Sequence, residues 1–278
     1  NIISMKELIR DFFPPVLWRL LSRIANRPGI EFRGNYNTWE EAVAALNTKG
    51  YAEPNILSKT LESVKAVRDG KAVYERDSVL FDEIHYSWPL LVTLMLGGAN
   101  SEETLKVLDF GGSLGSTFFQ KRKFLGLLHK KVAYGVVEQP HYVVAGNEHI
   151  KTDGLFFFET ICQFVKEKGT PDVVVLSGVL QNLDKPEAII ERITQTKAKY
   201  IVTDRTPYML KGNKERICIQ HVPGYIYQAK YPHRFFVEKQ LLKQFTDQGY
   251  ELLERFQALD GQNSYAQWLG HIFIRKSR

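Results

Sequence analysis

The chain has 278 residues, 44% apolar and 24% charged, which is enough apolar material for a full core and excludes a disordered tail as its main character. Its formal net charge of +6 comes from scattered basic residues with no run of five, so no nucleic-acid partner is expected. The two cysteines, Cys162 and Cys218, occur without a CxxC pair or an HExxH motif; this excludes a disulfide framework and familiar zinc sites, and predicts a reducing compartment and no metal.

Leu8, Ile9, Phe12, Val16, Leu17, Leu20 and Ile24 recur at helical spacing, interrupted by Pro14-Pro15. This predicts a kinked helical pair over residues 5–27 that packs on the body, on a second subunit as a dimer contact, or as a peripheral contact on a membrane surface. Thr38-Trp39-Glu40-Glu41 reads as a capping box, and two or three helices are expected before Gly97-Gly98. Residues 1–100 therefore read as an N-terminal helical region. The uncharged stretch Trp88–Asn100 is too short to span a bilayer and no signal peptide precedes it, so a cytoplasmic protein is expected, peripheral to the inner membrane face at most.

From residue 101 the pattern changes. Lys106–Phe110, Ala133–Glu138, Leu155–Phe158, Asp172–Leu176 and Tyr200–Thr203 are apolar runs of strand length separated by helical patterns, which predicts a mostly parallel sheet with helices on both faces. A helix over Gln240–Gln248 and strands over Tyr250–Phe256 and Gly270–Arg275 follow, the strands as an antiparallel pair at the sheet edge. Between them an insertion over about residues 206–236 carries Ile217–Val222 and Tyr225–Ala229 around Pro223-Gly224, the signature of a hairpin.

The stretch VLDFGGSLGS, residues 107–116, decides between cofactors. A kinase Asp-Phe-Gly loop would need a His-Arg-Asp loop elsewhere, and there is none. A dinucleotide fingerprint needs glycine at positions one, three and six, but from Gly111 those positions hold Ser113 and Ser116. Asp109-x-Gly111-x-Ser113-x-Gly115 instead resembles motif I of the class I S-adenosylmethionine-dependent methyltransferases, with Ser113 where that family commonly has glycine. Glu138 ends the next strand 23 residues after Gly115, where doubly wound sites place the carboxylate that grips ribose hydroxyls. Ser177-Gly178 and the following Val-Leu-Gln-Asn-Leu resemble the segment after the fourth strand in these enzymes.

The phrases YNTWEEA, YERDSVLFDEIHYSWPLL, VVEQP, SGVLQNL, DRTPY and QHVPGYIYQAKYP, taken with motif I, resemble a family of bacterial methyltransferases associated with surface-polysaccharide gene clusters. The resemblance implies a Rossmann-like seven-stranded class I sheet over residues 101–278, mostly parallel with its last strand antiparallel. It also implies S-adenosylmethionine as cofactor, with Asp109, Gly111, Gly112, Ser113, Gly115, Glu138, Gln139, Ser177 and Gly178 around it, and O-methylation of a saccharide or glycolipid.

A sugar hydroxyl is a poor nucleophile, so oxygen transfer should use a base; Asp204 at the end of the fifth strand, His221, His233 and the more distant His85 are candidates, with Arg205 beside the first. Gln220, Tyr227, Tyr231 and His233 are expected to bind the acceptor, the aromatic rings covering a sugar's apolar face. Two other readings stay open at this stage. One is an NAD-dependent sugar-modifying oxidoreductase; the other is a non-catalytic protein that retains the fold.

Overall fold

The computed structural model describes residues 29–46 and 54–276. The helical pair expected over residues 5–27 lies outside the described residues. Among those described, no helix is long and apolar enough to cross a membrane.

The amino-terminal part opens with a strand, β1 (Glu31–Tyr36), and then a short helix, α1 (Trp39–Ala44). Thr38 caps α1 by accepting the Glu41 N–H at 3.2 Å, while the Glu41 side chain accepts the Asn37 N–H at 2.9 Å, so the expected capping interaction forms with its return bond one residue earlier. Helices α2 (Pro54–Arg68) and α3 (Trp88–Asn100) follow, separated by a hairpin of β2 (Tyr74–Arg76) and β3 (Val79–Phe81). Asp77 and Ser78 form its two-residue turn, both with positive φ, as a tight right-twisted hairpin requires. The region before the main sheet is thus not helical throughout. Its strands were hidden from periodicity by their length and by the charges Glu75, Arg76 and Asp77.

The main sheet runs β4 (Thr104–Phe110), β5 (Lys131–Val137), β6 (Leu155–Phe158), β7 (Val173–Ser177), β8 (Tyr200–Met209), β11 (Tyr250–Gln262) and β12 (Ala266–Arg275) along the chain. In space the order is β11-β12-β8-β7-β4-β5-β6. β4 to β8 are parallel, and β12 lies antiparallel to both of its neighbours, β8 and β11. A single reversed strand beside the edge of an otherwise parallel sheet is the class I methyltransferase arrangement. Continuous apolar runs such as Val173-Val174-Val175-Leu176 follow from burial on both faces: Val107, Val173 and Val175 face one core layer, Leu108, Val174 and Leu176 the other. Helices α4 (Ser116–Leu125), α5 (Pro140–Ala145), α6 (Ile161–Lys168), α7 (Pro186–Gln195) and α8 (Glu238–Thr246) complete the layers.

Two boundaries differ from expectation. β8 continues past Thr203 to Met209 because Thr206–Met209 pair with Ala266–Leu269 of β12, so the insertion begins after Met209 rather than at residue 206. Within it, β9 (Arg216–Val222) is followed by a turn over residues 223–228, and the second strand, β10, is Ala229–Phe235 rather than Tyr225–Ala229. β1 adds to the free edge of β9, pairing Glu31 with His221 and Phe32 with Gln220, and Arg216 donates to the Phe32 and Gly34 carbonyls at 3.2 and 2.9 Å. The resulting small sheet roofs the carboxyl end of the main one.

Candidate active site

The site lies where parallel strands release their carboxyl ends, the usual ligand position in an open α/β sheet. After β4 the chain turns through Gly111 (φ 73°), Ser113 (φ 55°) and Gly115 (φ 86°), and Gly115 starts α4. A Cβ on Gly111 would come within 2.3 Å of Val179, and one on Gly112 within 2.5 Å of the Asp109 carboxyl. Bare backbone is therefore a steric requirement of the turn, and it leaves main-chain groups facing outward for close approach. Gly178 turns the chain after β7 with a positive φ (66°) that favours glycine although a Cβ there would meet Arg205 only at 3.7 Å, and its N–H donates to the Asp204 carbonyl at 2.9 Å.

Three cavities meet here. The first is lined by Asp109, Gly111–Ser113, Ser177, Gly178, Asp204 and Arg205, with Glu75, Lys121 and the hairpin tip opposite. Its floor is charged and almost fully buried: Asp109 is 1% exposed, Lys121 1%, Glu75 2% and Asp204 3%. Burial pushes the Asp109 carboxyl up to about 6, against a 2.7 Å hydrogen bond from the Tyr134 hydroxyl and the Lys121 charge. Glu75 is pushed up to about 7 by burial, although Ser116 Oγ and the Ser78 N–H donate to it. Lys121 is lowered by burial to about 8 while the charges of Asp204 and Asp109 oppose the fall; its ammonium donates to Gln120, whose amide donates to the His85 carbonyl at 2.7 Å. Asp204 is raised, chiefly by burial, against the Ser87 hydroxyl, the Arg205 and Lys121 charges, and the Arg205 N–H at 2.8 Å. The acids Glu75, Asp77, Asp109 and Asp204 outnumber the cations Arg76, Lys121 and Arg205 in this lining by one, and burial raises three of those acids, so the cavity can hold a cationic group and accept a proton.

The second cavity is a cleft between the β5 and β7 ends, lined by Phe110, Gly111, Glu138, Gln139, Val179 and Leu183 among others. Burial pushes Glu138 up to about 7, against N–H donors of Gln139 (2.7 Å) and Ser113. A carboxylate offers about four lone-pair directions, so these two amides leave room for a pair of hydroxyls. Glu159, after β6, lies on the far wall.

The third cavity, about 480 Å³, opens on the other side of Gly178 and Arg205, between the small sheet and the tip of β11. Gln220, Tyr227, Tyr231 and His233 line it, with Gln181, Asn182 and Trp268. Tyr227 and Tyr231 share a hydrogen bond of 3.2 Å, and Gln220 Nε2 donates to Tyr231 at 3.1 Å. Arg205 stands between this cavity and the first, in a left-handed conformation (φ 55°), bonded to Asp77 at 2.6 Å and Asp260 at 3.0 Å. A left-handed arginine within a strand is strained backbone that these two carboxylates and the continuing β8–β12 pairing hold in place.

Of the residues expected from sequence, Asp109, Gly111, Gly112, Ser113, Ser177, Gly178, Asp204 and Arg205 line the first cavity, as does Tyr227, which also lines the third, and Glu138 and Gln139 line the second. Gly115 lines none of the three and acts as the turn into α4. His221 is also outside them. It alternates with Gln220 and Val222, which face the third cavity, so the strand's period of two turns it to the opposite face, where burial and the Arg33 charge lower its pKa. His233 lines the third cavity, but burial lowers it to about 3, which removes the basicity a general base needs. His85 is exposed and paired with Glu83 at 3.2 Å. Glu75, Asp77, Lys121, Glu159, Gln181 and Asp260 were not singled out. Lys121 carried a readable signal, since it shares the buried face of Leu114, Phe118 and Leu125 at helical spacing, a place for an apolar residue. Among the described residues no cluster of three or more His, Cys, Asp or Glu is disposed to hold a metal.

No family model and no curated protein sequence matches the chain. Solved structures resemble it at a distance. A methyltransferase, CcbJ, from Streptomyces caelestis is 12% identical, with 79% of this chain and 98% of that one covered at a TM-score of 0.45. The 1,6-didemethyltoxoflavin-N1-methyltransferase from Burkholderia thailandensis, with bound 1,6-didemethyltoxoflavin and S-adenosylhomocysteine, is 13% identical over 88% and 93% of the chains, TM-score 0.43. Magnesium protoporphyrin IX methyltransferase from Synechocystis PCC 6803, with bound S-adenosylmethionine, is 12% identical over 99% and 100%, TM-score 0.42. The fold assignment rests on strand order and direction rather than on these likenesses.

Proposed function

We propose that this chain is an S-adenosylmethionine-dependent methyltransferase whose acceptor is a hydroxyl of a saccharide or glycolipid, of the kind used in cell-surface polysaccharide. The observation that carries the reading is the meeting of three cavities at Gly178: a cleft with Glu138 on its wall, an acidic cavity over Asp109, and an aromatic one beyond Arg205. The residues fit the cofactor. Glu138 suits two ribose hydroxyls, the side-chain-free turn at Gly111–Gly112 suits close backbone approach, and the acids around Asp109 suit a ligand carrying positive charge. When bound, S-adenosylmethionine supplies a methyl group already activated by its sulfonium.

The protein's own part is positioning and proton transfer. Asp204 is the base: its carboxylate is buried and its proton affinity raised, while the neighbouring Arg205 and Lys121 charges favour its ionised form. Arg205, clamped by Asp77 and Asp260, forms the sill between the acidic cavity and the acceptor cavity. Titration calorimetry with S-adenosylhomocysteine and with NAD tests the cofactor, and transfer of labelled methyl to saccharides tests the reaction. Preferential binding of NAD would sink the reading.

A further inference from the structure

Three residues that line the third cavity carry buried hydrogen-bonding atoms that nothing in the described protein satisfies. Gln181 Nε2 donates to the Arg205 carbonyl at 3.3 Å, and Asn182 Nδ2 donates to the Gly178 carbonyl at 3.3 Å. These bonds fix the amide orientations, and Gln181 Oε1 and Asn182 Oδ1 are buried without a donor. His233 is 2% exposed, lies against Phe32 and Phe235 with ring centroids 4.7 and 4.9 Å away, and has no partner at Nδ1 or Nε2. All three side chains line the same cavity. A buried polar atom without a partner costs roughly 1–3 kcal/mol, so a set of them in one cavity is explained by a ligand that completes it.

The chemistry of that ligand follows from the atoms. Two amide oxygens accept only, so the ligand must bring donors; hydroxyls supply them, whereas an ionised phosphate or carboxylate group by itself does not. A neutral imidazole has one N–H and one lone pair, and a hydroxyl can answer either. The charges of the wall are matched: Arg76 and Arg205 face Asp77 and Asp260, and although burial opposes ionisation of Asp260, the Arg205 charge outweighs it and holds that carboxyl below its ordinary value. Among the described residues of this lining no surplus cation remains for an anionic group. Tyr227, Tyr231, Trp268 and Phe32 supply flat apolar surface.

We infer that this cavity is a binding site for an uncharged hexopyranoside, whose hydroxyls answer the unsatisfied groups of Gln181, Asn182 and His233, and that phosphorylated and carboxylated sugars are disfavoured because the charges of the wall are already paired. The inference rests on the proposed acceptor role of the cavity and narrows it to a neutral sugar ring. His233 acts in it as a hydrogen-bonding group that positions the sugar.

The test uses the full chain with the methyl glycosides of glucose, galactose, mannose and N-acetylglucosamine, against glucose 6-phosphate and glucuronic acid, with and without S-adenosylhomocysteine. At least one neutral glycoside should bind, with both anionic sugars at least tenfold weaker. Adding it should shift the imidazole nitrogen resonances that disappear in His233→Phe. His233→Phe and Gln181→Met should each weaken the neutral sugar by about tenfold, the loss of one or two hydrogen bonds, while S-adenosylhomocysteine affinity confirms that the variants are folded. Anionic sugars binding equally well, both variants binding like the wild type, or no neutral glycoside binding would each overturn the inference. Sugar binding without S-adenosylhomocysteine binding would refute the methyltransferase reading and leave this one standing; the reverse result would refute only this one.

Discussion

The two sides of Gly178 are built differently. The side proposed to face the cofactor comes from β4, β5 and β7 and the turns directly after them, and its decisive features are backbone ones: positive φ at Gly111 and Gly178, and the absence of a Cβ at Gly111 and Gly112. The side proposed to face the acceptor is assembled from β1, the hairpin tip, β9, β10 and the tip of β11, and its decisive features are side chains. Their electrostatics differ as well. The two cavities share Arg76, Asp77 and Arg205, but the first adds the buried acids Glu75, Asp109 and Asp204 around Lys121, whereas the third adds only Asp260, which pairs Arg205, and keeps His233 neutral. A charged, proton-sharing floor suits a charged ligand and proton movement; a charge-balanced wall suits a neutral one.

This contrast can be broken at four points. The largest effect is expected at Glu75. Its carboxyl is raised from 4.5 to about 7, so between those values the unfolded chain releases a proton that the folded protein keeps. Stability contributed by this group is complete below 4.5 and is lost as pH rises through about 7. The full difference amounts to about 3 kcal/mol. Glu75→Gln should flatten the decline, and urea unfolding at pH 5 and pH 8 checks it; an unchanged slope would show that Glu75 is not the buried acid responsible.

Next is Asp204→Asn, which should lower turnover by about a hundredfold while cofactor affinity stays within a few-fold, if proton removal limits transfer. Parallel loss of binding and turnover would move Asp204 to the cofactor side. Glu138→Ala should weaken S-adenosylhomocysteine by roughly ten- to a hundredfold through lost charge-assisted hydrogen bonds, measured by calorimetry. Unchanged affinity in a folded variant would remove Glu138 from the ribose. The smallest effect belongs to Tyr227→Phe, which loses the 3.2 Å bond to Tyr231. It should weaken saccharide binding a few-fold, about 1 kcal/mol; because Tyr227 borders the first cavity as well as the third, a cofactor affinity that falls more than the saccharide affinity would place its role in the first.

Periodicity and turn chemistry made much of the architecture legible. The apolar runs at Val107, Val136 and Val173–Leu176 are strands because no other element buries both faces over so few residues, and the Asp109–Gly115 turn was readable because its glycines are demanded locally. Asp204 and Arg205 were placed at a strand end, but the continuation of β8 through Met209 was not visible, since it depends on pairing with β12, some sixty residues later. The face of His221 was misjudged for a related reason: alternation says that it opposes Gln220, but only the packed hairpin shows which of the two looks inward.

What the sequence determined by itself, then, is whatever a few consecutive residues enforce: apolar strands, the left-handed turns at glycine, and an acid where β5 ends. Tertiary structure alone decided which distant segments share a wall. It brought Glu75 onto Ser116, Asp77 and Asp260 onto Arg205, and Phe32 beside His233. Each of these contacts joins segments whose local pattern is indifferent to the partner. Burial then changed the chemistry of the groups enclosed, because an acid becomes a proton holder, and a histidine a neutral ligand, only where water has been removed.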